Sequence, residues 1–139
     1  MLRAVTHSRL YVLGQDEALD FCVRKLGLEV NADVDLHFMR WLTIVVPGQP
    51  DPEVLLEVPG PPALDPATAE QVAELVGKGA LGLLILTTDD CRATYEELRA
   101  KDVEFTDEPA ERFYGIDCAL PDPFGNQIRI GQPAEAPPA

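Results

Sequence analysis

The stretch from Leu81 to Phe105, LGLLILTTDDCRATYEELRAKDVEF, reads as a strand, a capped helix and a second strand. A fainter copy, THSRLYVLGQDEALDFCVRKLGLEV, runs from Thr6 to Val30. Two copies of one strand–helix–strand unit leave room for little else in 139 residues, a length that suits one domain with a real core. Arg24 to Val30, RKLGLEV, aligns with Arg99 to Phe105, RAKDVEF. Few letters are identical, so the pattern carries the repeat.

Val5 to Leu13 alternates as a strand. Thr6, Ser8, Leu10 and Val12 share one face; Val5, His7, Arg9 and Tyr11 share the other. The second face carries a histidine, an arginine and a tyrosine, which suits the lining of a cleft. Asp16 to Leu26 is an amphipathic helix with Ala18, Phe21, Cys22 and Leu26 on its apolar stripe, and Gly27 suits its left-handed end. Strands are expected at Leu28–Val34, His37–Val46 and Glu53–Val58, with a Pro/Gly turn from Pro47 to Pro52. The middle strand holds Phe38 and Trp41.

Pro59 to Gly79 is a connection with its own short helix. Asp65 is the N-cap, Pro66 the first helical residue, and Ala69, Val72, Ala73 and Val76 form its stripe. LGLLIL then reads as a strand covered on both faces. Asp89 or Asp90 caps a helix whose inner stripe is Cys91, Tyr95 and Leu98. Val103 to Phe105 begins the next strand, Glu108 to Arg112 is a polar hairpin tip, and Phe113 to Leu120 is a strand. Asp122 to Asn126 is a tight turn, and Gln127 to Ile130 is the last strand. The domain is thus residues 1–132: module one 3–58, linker 59–79, module two 80–132. Residues 133–139 have nothing to bury and form a disordered tail. The fold class is α+β, two tandem βαβββ modules making a curved mixed sheet around a cleft.

The acidic excess, 24 Asp and Glu against 11 Lys and Arg, leaves no basic stripe for phosphates, so neither nucleic acid nor an anionic membrane is an expected partner. Three cysteines, Cys22, Cys91 and Cys118, without CxxC spacing suit reduced thiols in the cytoplasm, with the two helical ones as core filler. The start, MLRAVTHSRL, has no long apolar run, so no signal peptide is expected. No spacing supports a Ser–His–Asp or Cys–His arrangement or a phosphate-cradling glycine loop.

The chain resembles the glyoxalase / bleomycin resistance protein / dioxygenase group, the vicinal oxygen chelate superfamily. The resembling residues are His7 on the first strand, FCVRKLGLEV, LLEVPGP, TTDDCRATYEELRAKDVEF and the closing DPFGNQIRI. The resemblance implies two βαβββ modules around a pocket and a homodimer, with the modules paired either within a chain or between chains. In metal-dependent members each of four cleft strands gives one ligand. Those positions map onto His7, Glu57, Gly82 or Leu83, and Arg129. Only His7 and Glu57 can bind a metal, and Arg129 repels one. Two protein ligands fall short of the three of a catalytic zinc site, so no metal and no cofactor are expected. On the same mapping, either Glu57 and Arg129 pair across the cleft floor, or Arg129 points to solvent.

Two functions follow from the resemblance. The first is a small-molecule binding protein that sequesters an antibiotic, planar aromatic or cationic, without turnover. Its ligand-binding residues would be His7, Arg9, Tyr11, Phe38, Trp41, Glu57, Phe113, Tyr114 and Arg129. The second is a metal-dependent lyase, isomerase or dioxygenase, for which half the expected ligands are missing.

Overall fold

The computed structural model describes residues 1–135. Its strands are β1 (His7–Tyr11), β2 (Glu29–Asp35), β3 (Arg40–Val46), β4 (Gln49–Glu57), β5 (Leu83–Thr87), β6 (Asp107–Arg112), β7 (Gly115–Pro121) and β8 (Gln127–Pro133). Its α-helices are α1 (Gln15–Leu19), α2 (Pro66–Gly77) and α3 (Cys91–Ala100). The strands form two four-stranded mixed sheets, ordered β1-β4-β3-β2 and β5-β8-β7-β6. Each module is therefore β-α-β-β-β, with its first strand parallel to its last.

The repeat extends to single hydrogen bonds. Glu53 N–H donates to Thr6 O as Gln127 N–H donates to Gly82 O, and Val12 N–H donates to Glu57 O as Thr88 N–H donates to Gly131 O. Both helical segments then end on a left-handed residue at matching places, Gly27 (φ 78°) and Asp102 (φ 64°). The two ends cap each other: Lys25 Nζ donates to Lys101 O at 2.7 Å, and Lys101 Nζ donates to Lys25 O at 3.2 Å. Ammonium groups on terminal carbonyls satisfy orphan acceptors and oppose the negative helix ends.

One face of each sheet packs on its helix. Leu10, Val12, Leu42, Ile44 and Leu56 lie against Ala18, Phe21 and Cys22; Cys118, Leu120, Ile128 and Ile130 lie against Cys91 and Leu98. All belong to one cluster that also takes in Val76 of the linker helix. Burying each such Leu, Ile or Val contributes about 1.5–3 kcal/mol. The helix after β1 is α-helical only to Leu19. Asp20–Lys25 is a π-helical continuation, with Leu26 N–H donating to Phe21 O, five residues back. Asp65 and Asp90 cap the other two helices through Thr68 N–H and Ala93 N–H.

The Asp122–Asn126 turn is the clasp of the molecule. Asp122 Oδ1 accepts from the backbone N–H groups of Phe124, Gly125 and Asn126 at 2.8–3.0 Å. Asn126 Nδ2 donates to Asp122 Oδ2 and, across to module one, to Tyr11 O at 2.8 Å. Gly125 has φ 110°, and a Cβ there would stand 2.6 Å from Val76 O of α2. The turn thus touches both modules and the linker helix.

Several expected boundaries move. The Pro47–Pro52 turn is a short Pro47–Gly48 hairpin, and β4 already starts at Gln49. Pro50 and Pro52 lack N–H donors and sit in a stretch where the β3–β4 register shifts. The expected strand from His37 begins at Arg40, because His37 has φ 72° in the β2–β3 turn. Glu108–Arg112 is strand β6 rather than a hairpin tip; the tip is Phe113–Tyr114. β8 runs on to Pro133, which is therefore part of the sheet, and residues 136–139 of the expected tail lie outside the described residues. LGLLIL is not covered on both faces: Leu84 and Leu86 are half-buried, whereas Leu83 and Ile85 are 56% and 67% exposed. Among the described residues that face of β5 stays largely open.

Candidate functional site

Each sheet turns its second face away from its helix, and these two open faces carry the polar chemistry. On sheet one, Arg9, Tyr11, Trp41, Thr43, Leu55 and Glu57 share a face with His7 and Glu53 by strand parity and register. His7 Nε2 lies 3.1 Å from Glu53 Oε2, and its ring stands 5.9 Å from that of Trp41. The other Glu53 oxygen accepts from Thr43 Oγ1 and Asn31 Nδ2, both at 2.7 Å. The hydrogen bonds from Thr43 and Asn31, with His7 nearby, hold the Glu53 carboxyl below the usual carboxylate range against the opposing effect of desolvation. Arg9 Nη1 donates to Glu57 Oε2 at 3.3 Å and its guanidinium lies 4.6 Å from the centre of the Tyr11 ring.

On sheet two, Asp117 is the hub. Its side chain is 5% exposed and accepts from Arg129 Nε and Nη2 (2.9 and 2.6 Å), Arg112 Nε (3.3 Å) and Tyr114 Oη (3.1 Å). Burial pushes this carboxyl up, but the bonds from Arg129, Tyr114 and Arg112 outweigh it and hold Asp117 below the usual range. Arg129, Asp117, Ile85, Thr87, Tyr114 and Gly131 border a cavity of about 380 Å³. Phe113, 96% exposed, stacks edge-on against Tyr114 with centroids 5.1 Å apart.

The sequence-derived candidates therefore fall into two groups. His7, Arg9, Tyr11, Trp41 and Glu57 come together on sheet one; Tyr114 and Arg129 come together on sheet two, with Phe113 at the adjoining tip. Phe38 lies in the β2–β3 turn, 63% exposed, outside both faces. Arg129 neither pairs with Glu57 nor points freely to solvent. Glu57 is matched by Arg9 and Arg129 by Asp117, each within its own sheet. Glu53, Thr43, Asp117 and Arg112 escaped the sequence reading. Parity was the available signal, since Glu53 and Glu57 are four apart on one strand and share a face.

A family model described as Glyoxalase/Bleomycin resistance protein/Dioxygenase superfamily matches residues 4–130. The chain belongs to this superfamily. It is 34% identical to YurT of Bacillus subtilis (strain 168) over 124 residues, 88% of this chain and 94% of YurT. Among solved structures it is similar to UcmS2, with 36% identity and a TM-score of 0.89 over 95% of this chain and 99% of that one. It is also similar to TnmS3, an antibiotic binding protein from Streptomyces sp. CB03234, with 28% identity and a TM-score of 0.77 over 96% and 98% of the two chains.

The superfamily's metal-dependent members raise the question of a metal here, and the residues present do not fit one. The hydrogen-bond frame equates His7 with Leu83 rather than Gly82. It also sets Glu57 beside Tyr11 but Arg129 beside Ile85, two residues nearer the start of its strand. Leu83 offers no donor, Arg129 is a fixed cation held on Asp117, and His7 is engaged by Glu53. Among the described residues no three His, Cys, Asp or Glu side chains are grouped to hold a metal ion. All three thiols are buried, and burial pushes those of Cys22 and Cys118 up to about 12, which removes them as ligands or nucleophiles at neutral pH. No helix among the described residues is long and apolar enough to cross a membrane.

Proposed function

We propose that this protein binds a small organic molecule and sequesters it without turnover, in the manner of an antibiotic-binding member of its superfamily. The observation that carries this reading is the character of the open faces. Aromatic and apolar surface from Trp41, Tyr11, Tyr114 and Ile85 surrounds a few charged groups already fixed by partners: Arg9 with Glu57, His7 with Glu53, and Arg129 with Asp117. That is the composition of a binding surface, apolar walls with a few placed polar groups. TnmS3, an antibiotic binding protein, supports the same reading through its fold.

In this reading residues 1–132 act as one unit, without metal or cofactor, as a homodimer in the cytoplasm. The exposed Leu83 supplies apolar surface for a second copy, and ligand contacts come from His7, Arg9, Tyr11, Trp41 and Glu57 on sheet one and from Phe113, Tyr114 and Arg129 on sheet two, while Phe38, in the β2–β3 turn, stands apart from both. The ligand is a planar aromatic or cationic antibiotic, and neither nucleic acid nor membrane is a partner.

The test is a titration of Trp41 fluorescence with planar aromatic and glycopeptide antibiotics, followed by recovery of the bound compound. Saturable quenching, lost in Trp41→Ala with unchanged melting temperature, and a compound recovered chemically intact are expected. A recovered compound that has been transformed, or activity restored by a divalent ion after chelation, would move the protein to the enzymatic branch.

A further inference from the structure

Resting on that reading, we propose that the cavity on sheet two selects an aromatic anion, a ring bearing a carboxylate, phenolate or sulfonate oxygen, with Arg129 as the anchor and Asp117 as its positioning residue.

The donor count makes the case. A guanidinium has five N–H groups. Arg129 uses Nε and Nη2 on Asp117, and its Nη1 has only a 3.8 Å approach to Asp107, whose side chain is 53% exposed. The Nη1 donors are therefore available to a ligand oxygen. Arg129 is 31% exposed, so it is held on one side and open on the other. Asp117 cannot cancel the local charge, because Arg112 shares the same carboxylate. Two cations share one buried anion, and the half-exposed Asp107, 3.8 Å from Nη1, brings the formal count to zero without a hydrogen bond to that nitrogen, so Nη1 is the donor a ligand oxygen would take.

The cavity around this anchor suits a ring. Ile85, Tyr114 and Pro133 give it apolar sides. Its floor includes Gly131, where an added Cβ would meet no atom within 4 Å. A flat ring can lie on bare backbone there while its charged oxygen reaches Arg129. Gly131 lacks a left-handed φ, so a side chain can be introduced without backbone strain.

The probe is 1-anilinonaphthalene-8-sulfonate, with the uncharged N-phenyl-1-naphthylamine as its counterpart. Saturable binding of the sulfonate is expected, with much weaker binding of the neutral compound. Arg129→Gln should weaken the sulfonate about tenfold or more, the loss of a charge-assisted pair, and leave the neutral compound unaffected. Gly131→Val fills the floor without touching the charges and should abolish sulfonate binding while the circular dichroism spectrum is retained. Equal affinity for both compounds, unchanged sulfonate affinity in folded Arg129→Gln, or unchanged affinity in Gly131→Val would each overturn the proposal. The Trp41 titration on sheet one is scored separately, so failure here leaves the general binding reading standing.

Discussion

His7 and Glu53 face each other across the parallel β1–β4 pair, with Nε2 3.1 Å from Oε2. The contact organises sheet one, because Glu53 is also the acceptor for Thr43, which is fully buried, and for Asn31. A carboxylate with three partners fixes the histidine beside Trp41 and leaves it poorly suited to coordinate anything else.

Replacing Glu53 by alanine leaves the buried Thr43 hydroxyl without its acceptor. A loss of about 1–3 kcal/mol is expected in urea unfolding. Thr43→Val removes the hydroxyl and should cost less than Glu53→Ala. Equal or reversed costs would show that the carboxylate does not depend on Thr43.

The pH dependence has a definite sign. Glu53 and Asp117 are both held below their usual values in the folded protein. Each contributes stability that is present above the unfolded carboxylate pKa of about 4 and is lost as pH falls through the lower folded value. Melting temperature should therefore fall below about pH 4, and Glu53→Gln should flatten part of that fall. An unchanged acid limb in Glu53→Gln would remove Glu53 from this account.

The clasp at Asp122 should be the most sensitive loop position. Asp122→Ala removes the acceptor of three backbone N–H groups and of Asn126 Nδ2. A loss of at least about 2 kcal/mol is expected, with Asp122→Asn milder. Gly82→Ala tests the same region from the other side. Its Cβ would run into Asn126 Oδ1, and the buried Asn126 cannot move away freely, so a cost of about 1–3 kcal/mol is expected. Thermal unfolding of the three variants checks these costs.

The cysteines should be silent in the native state. Cys22, Cys91 and Cys118 are buried, and burial raises all three thiols. A thiol reagent at pH 8 should label none of them until denaturant is added, after which all three react. Rapid labelling of Cys91 or Cys118 in the folded protein would mean that the module-two core opens readily.

Much of the fold was legible in local pattern. Leu10 and Val12 alternate with His7, Arg9 and Tyr11, and the structure buries the first pair and leaves the other face open. Gly27 marked a helix end that is indeed left-handed, and Asp65 and Asp90 are caps. These signals are local because backbone conformation, capping and side-chain alternation depend on residues within one or two turns. Elsewhere local pattern misled. A run such as LGLLIL records only that apolar side chains occupy both faces. Whether Leu83 and Ile85 are covered depends on what stands opposite them.

By itself, the sequence determined two βαβββ modules, their caps and the shared face of His7, Arg9 and Tyr11. The tertiary structure alone decided which charges meet. Arg129 finds Asp117 rather than Glu57, and His7 finds Glu53, because pairing is set by strand register and by which sheet a residue joins. Register comes from contacts between segments far apart in the chain, and a shift of two residues moves a side chain to a different partner without changing its face.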